Sequence, residues 1–132
     1  MVEALGVSVY TPQEFERAVE IAEIRMIQAP FSALDQRLRR SGLLDRAIHE
    51  RKLVFLRSIF LQGLLLMDPE HLSEHLQFAR KDLAEWHELC RAHRVSPAIA
   101  ALKYVHAVAP ACGLVVGCER PEQVEANVDM LP

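Results

Sequence analysis

Ala4-Leu5-Gly6-Val7-Ser8-Val9-Tyr10-Thr11-Pro12 is the stretch on which the fold turns. Residues 4–10 form a short, mostly apolar run that reads as a buried strand, and a threonine followed by a proline closes it. A threonine hydroxyl accepts from an otherwise unpaired N–H at a helix start, and proline loses nothing at the first helical position, where its missing N–H has no partner. A helix therefore begins at this point. Phe15, Ala18, Val19 and Ala22 follow at i, i+3, i+4 and i+7, the stripe of a helix laid on a sheet.

The alternation recurs along the chain. Residues 25–29 read as a second strand stopped by Pro30, and Leu43, Leu44, Ala47 and Ile48 mark a second helix behind a loop at 39–42. Residues 53–57 are a third strand, followed by a long loop over 58–69 and a helix carrying Leu76, Ala79, Leu83, Trp86 and Cys90 on one face. Ser96-Pro97 repeats the cap-and-proline signal and opens an alanine-rich helix to about residue 108. Residues 112–117 are a last strand, and Arg120-Pro121 starts a final helix with Val124, Val128 and Leu131 on one side. Four strands and five helices in this order predict an α/β fold with a parallel sheet built by right-handed crossovers. Periodicity alone leaves open a small doubly wound sheet or part of a barrel.

With 132 residues, 51% of them hydrophobic and 25% charged, the chain is expected to fold as one domain over residues 1–132. A net charge of -3 provides no basic face for a phosphate backbone, so no nucleic-acid partner is expected. The longest apolar run is only Leu64-Leu65-Leu66-Met67, so no membrane span is expected, and the first residues have no secretion-signal pattern. Cys90, Cys112 and Cys118 are an odd set without a C-x-x-C pair, which speaks against disulfides and zinc and for a cytoplasmic protein.

Four segments carry more information than the periodicity. They are residues 6–12 (GVSVYTP), 27–31 (IQAPF), 57–65 (RSIFLQGLL) and 116–127 (VGCERPEQVEAN). In order and spacing they resemble the aldo/keto reductase family. The resemblance covers nearly the whole chain and implies that its four strands match the fifth to eighth of a (β/α)₈ barrel, a fold that normally needs about 250 residues. The expected architecture is thus half of a TIM barrel. The family's Asp, Tyr, Lys and His catalytic residues lie on earlier strands with no counterpart here, so no catalytic residue is carried over. Tyr10, at the C-terminal end of the first strand, is the only candidate by position, and a structural role is the stronger reading.

The resemblance implies more for the cofactor end. Ser58 matches a serine beside the cofactor pyrophosphate, Gly63 belongs to the loop that folds over it, and Gly117 leaves room for ligand against backbone. Arg120 lies in the last motif, where Gln123 and Asn127 match side chains at the adenosine end. Gln28 matches the glutamine that binds the nicotinamide carboxamide, and Ser8 its neighbour. Three positions depart from the common pattern. Val9 replaces an asparagine, Arg57 stands where many members stack an aromatic ring, and Glu119 occupies a region that often holds a donor to the 2′-phosphate, with Arg120 beside it to compensate. NAD and NADP both remain open as cofactors, held weakly or not at all. Read without the resemblance, Ser58 caps a loop, Gln123 and Asn127 are solvated helix residues, and Gly117 serves the strand–helix turn. His71 and His75, flanked by Glu70 and Glu74, have helical metal spacing but no third ligand, so they read as exposed helix residues and no metal is expected.

Half a barrel leaves its inner sheet face and two strand edges uncovered, and both drive association. A homodimer closing an eight-stranded ring is the simplest solution, and burying about 1,000 Å² of apolar surface would contribute roughly 25 kcal/mol before entropic costs. A separate N-terminal half-barrel is the alternative partner. The expected function is a half-barrel keeping part of an NAD(P) subsite without being a competent oxidoreductase alone. The alternatives are an NAD(P)-dependent oxidoreductase when dimerised or completed, and an interaction module using the open edges.

Overall fold

Residues 2–129, the part of the chain described by the computed structural model, form four strands, each followed by one or two helices. The order is β1 (Leu5–Ser8), α1 (Pro12–Glu20), β2 (Ile24–Pro30), α2 (Arg37–Arg40), α3 (Leu43–His49), β3 (Leu53–Arg57), α4 (Arg80–Ala92), α5 (Pro97–Val108), β4 (Gly113–Leu114) and α6 (Pro121–Asp129). All four strands pair in parallel in the order β1-β2-β3-β4. Four parallel strands with flanking helices are consistent with part of a TIM barrel.

The start of α1 shows how local chemistry ends a strand. Thr11 Oγ1 accepts from the Glu14 N–H at 3.2 Å, while Glu14 Oε2 accepts from the Tyr10 and Thr11 N–H groups at 2.8 and 3.0 Å. Those two N–H groups are thereby turned away from the sheet, so β1 stops at Ser8 instead of reaching residue 10. The Tyr10 and then the Thr11 N–H hold the Glu14 carboxyl below its ordinary value. A lowered carboxylate stabilises the fold above its unfolded pKa, and the contribution is lost as pH falls through the folded one. Thr11→Ala removes half of this reciprocal cap and is expected to lower stability by about 1 kcal/mol, read as a shift of the urea midpoint with unchanged slope.

The sheet has two unlike faces. Val54 and Leu56 of β3, with Ile27 and Ala29 of β2 in register beside them, are buried under the helices. Phe15, Ala18 and Val19 of α1 and Leu43, Leu44 and Ala47 of α3 belong to that core, whereas Ala22 lies beyond the end of α1 and is exposed. The opposite face carries Leu53 and Phe55, 60% and 38% exposed. One row across it runs Ser8, Gln28, Phe55, Gly113. A Cβ on Gly113 would stand 2.7 Å from the Phe55 ring, so only glycine lets that ring lie against β4.

Several expected bounds change. The loop at 39–42 is in large part the helical turn α2 and the left-handed Gly42 that opens α3. The helix expected around Leu76 to Cys90 begins as a 3₁₀ segment, Glu74–Ala79, before α4. His71 and His75 fall in two separate 3₁₀ turns, so their helical spacing does not exist, and His71 Nδ1 bonds Asp68 at 2.8 Å. β4 is two residues long rather than six because its partner runs out. Val115 N–H still donates to Leu56 O at 2.8 Å, but Ser58 then turns left-handed at φ +61 and leads β3 away. Val124 and Val128 of α6 are exposed, and Leu131 lies outside the described residues.

Candidate functional site

The loop after β3 forms one wall of a cleft at the C-terminal end of the sheet. Ser58, Leu61, Gln62 and Gly63 all have positive φ, at +61, +50, +56 and +90. Only glycine takes this region freely, and each of the other residues costs on the order of 1–2 kcal/mol. Two buried anchors, Ile59 and Leu65, pin the loop to the core and hold that conformation. Ser58, Gln62 and Gly63 are left facing the cleft.

The opposite wall comes from the turn before α6 and from α6 itself. Gln123 Oε1 accepts from the Glu119 and Arg120 N–H groups at 2.8 and 3.3 Å, and Asn127 Nδ2 donates to Cys118 Sγ at 3.2 Å. Both amides lie on the inner side of α6, half-buried, which is why the valines point outward. Between the walls lies a cleft of about 720 Å³. Its size is in the range of small-molecule sites.

Five residues expected from the sequence, Ser58, Gly63, Gly117, Gln123 and Asn127, line this one cleft although up to 69 positions separate them. Three others do not. Ser8 and Gln28 are cross-strand neighbours on the open sheet face, and the exposed Arg120 lies outside the cleft wall. Gly117 has open space where a Cβ would stand, so its backbone imposes no steric requirement for glycine. Gln62 and Cys118, which lie inside the quoted motifs without being singled out there, and Ala98, which lies outside them, also line the cleft. Ala98, at the start of α5, comes in from a distant part of the chain, so only the fold reveals it.

Beside the cleft, Arg57 is fixed in three ways. Its Nη1 donates to Ser58 Oγ and its Nη2 to Val9 O, both at 3.2 Å, and its guanidinium lies 4.4 Å from the centre of the Tyr10 ring. Stacking of this kind holds a cation over an aromatic face. It gives Tyr10, 67% exposed, a structural part as the platform for Arg57.

A comparison with protein families adds the deciding observation. The model of the Aldo/keto reductase family matches residues 1–132, the full length of the chain. The chain belongs to the aldo/keto reductase family. A comparison with curated proteins finds no match. Membership explains why the four motifs occur together, and it brings an oxidoreductase-like fold with it. Among the described residues of this aldo/keto reductase domain, no three His, Cys, Asp or Glu side chains group as a metal site, and no helix is long and apolar enough to cross a membrane.

The cysteines sort by environment. Burial, with a smaller contribution from Asp45, pushes the Cys112 thiol up to about 11, and burial also raises Cys90. Cys118 is exposed at the cleft. Thiolate rather than thiol reacts with alkylating agents. Iodoacetamide at neutral pH is therefore expected to modify Cys118 alone in the folded protein, with Cys90 and Cys112 labelled only after denaturation, as read by intact and peptide mass. Labelling of all three thiols at equal rates in the native state would contradict this assignment.

Proposed function

We propose that this chain is the C-terminal half of an aldo/keto reductase barrel, strands five to eight, folded as one half-barrel domain over residues 1–132. It retains the adenosine and pyrophosphate end of an NAD(P) subsite and is not a competent oxidoreductase by itself. The observation that carries the reading is the meeting of Ser58, Gly63, Gly117, Gln123 and Asn127 around one cleft. The donor set fits the group. A serine hydroxyl tied to a fixed guanidinium suits a pyrophosphate, and two side-chain amides suit an adenine or ribose edge. Gln123 must exchange its bonds to the 119–120 turn for bonds to the ligand, or serve it from its free NH₂ group.

A bound nicotinamide supplies a hydride. This chain's residues would hold the other end of the molecule and leave the reacting end on the open face near Ser8 and Gln28. Reduction of a carbonyl also needs a proton donor, and loss of a general acid typically costs a factor of about 10² to 10⁴. No residue of the family's tetrad is carried over here, so turnover by the chain alone is expected to be negligible.

The open face favours completion by further strands. Leu53 and Phe55 are exposed on it, and among the described residues β1 and β4 both end the sheet with an unpaired edge. We take a second copy of the chain as the partner, related by a twofold axis that pairs β4 of each with β1 of the other. Calorimetric titration of the chain with NAD and NADP, beside an activity screen on a simple aldehyde, tests the functional reading. Micromolar to millimolar binding without turnover is expected. Absence of binding by either dinucleotide would reject the subsite, and turnover would reject the non-catalytic assignment.

A further inference from the structure

Ser8 and Gln28 lie apart from the cleft, on the open face of the sheet. That face is suited to meet a copy of itself. Its rows Gly6-Met26-Leu53 and Ser8-Gln28-Phe55-Gly113 hold no charged side chain, so two such faces can close on each other without burying a charge. The C-terminal end of β1 is also fixed in place. Val9 N–H donates to Gln28 O at 2.8 Å, and the next rung of the parallel ladder calls for an N–H from residue 30, which is a proline. Arg57 Nη2 donates to Val9 O instead, at 3.2 Å, and its guanidinium lies over the Tyr10 ring. The edge that β1 presents to another strand is therefore preformed up to Tyr10.

We propose that each cleft is a composite of two copies, completed by the β1 end of the second. The inference rests on the reading above that a second copy pairs with the open edges. An eight-stranded ring of parallel strands has a shear of about eight residues, so a row followed across one copy has dropped by about four on entering the next. Right-handed crossovers and the right-handed tilt of the strands make that drop run toward the N-terminus. A shift by an even number keeps the inward side chains of β1 inward. The row that ends at Gly113 then continues at Ala4 of the partner subunit, and Gly117 comes level with the partner's Ser8. Gly117 lines the cleft on its β4 side. The partner's Ser8 hydroxyl and, two residues on, the partner's Tyr10 ring thus form the wall that one copy lacks. A ligand held there touches both copies, so binding a dinucleotide and forming the dimer are linked.

Disulfide trapping reads this register directly. Neighbouring strands lie about 4.8 Å apart, within the Cα separation that a disulfide spans. Ser8→Cys and Gly117→Cys are prepared separately in a Cys118→Ser background; a Cβ at Gly117 meets open space. Mixed and oxidised, the two are expected to give a covalent dimer that neither forms alone. Ala4→Cys mixed with Gly117→Cys, about 13 Å out of step, is expected to give none. In sedimentation of the wild type, saturating NAD or NADP is expected to tighten the dimer about tenfold. A wild type that dimerises while positions 8 and 117 fail to link, or while 4 and 117 link instead, would overturn the composite cleft and leave the second copy standing as the partner. So would a dimer whose affinity is unchanged by a dinucleotide it binds. A wild type that stays monomeric would remove the second copy, and this inference with it.

Discussion

Phe15→Ala is expected to lower the unfolding free energy by about 3–5 kcal/mol, the range for deleting a fully buried aromatic side chain. Phe15 has 0% of its surface exposed and sits at the head of the α1 stripe, beneath the helix-covered face of the sheet. It shares its core with Ile27, Val54 and Leu56, so the cavity would open between α1 and the sheet where neither side has a spare group to fill it. Domains of this kind are stable by only about 5–15 kcal/mol in all, so one substitution removes a large fraction of the total. Urea unfolding followed by circular dichroism measures the loss. Phe78→Ala is the control: Phe78 is 80% exposed, and its removal is expected to change stability by less than about 0.5 kcal/mol. Equal effects of the two substitutions would mean that the helix-covered face is not the stabilising core.

Phe55→Asp is expected to weaken self-association by more than about 100-fold while leaving the fold of each copy in place. Phe55 lies on the uncovered face, between Gln28 and Gly113 in its row, and touches none of the helix-facing core positions by register. In a ring closed by two copies that face becomes an interior. A carboxylate placed there costs several kcal/mol, and the twofold axis applies the cost twice. Sedimentation equilibrium of the wild type and the variant reads the result, with circular dichroism confirming that both are folded. A wild type that stays monomeric at micromolar concentration, or a variant that dimerises equally well, would remove the second copy as the partner of this face.

How much of this was legible beforehand depends on the range of the interaction concerned. The cap at Thr11 and Glu14 closes within three residues, and β3 over residues 53–57 lies where its apolar run indicates. The stripes of α1 and α3 named three buried residues each, Phe15, Ala18 and Val19 and then Leu43, Leu44 and Ala47, because helix geometry fixes which positions share a face, while Ala22 and Ile48 at their ends are exposed. Strand ends were less accessible. β1 lost its last residues to a competing carboxylate acceptor, and β4 lost four because the left-handed serine that follows β3 withdrew its partner. Both events depend on where a neighbouring group stands. The inner side of α6 was read from its valines, yet the amides Gln123 and Asn127 face inward, because the 118–120 turn presents N–H groups and a thiol that amides satisfy and valines do not.

The candidate site divides along the same line. The motifs pointed to eight cofactor-binding residues, and five of them, Ser58, Gly63, Gly117, Gln123 and Asn127, share a cleft. That Ser8 and Gln28 face a separate surface, that Ala98 joins the wall, and that Arg120 lies outside it could be seen only once the strands were in register and α5 and α6 were packed. By itself, then, the sequence determined the family, the alternation of strand and helix and the helix-covered core, all consequences of patterns repeated within a few residues. The tertiary structure alone decided the shape of the cleft and the bare face with its two open edges, because each arises from groups far apart in the chain whose distance is set by packing.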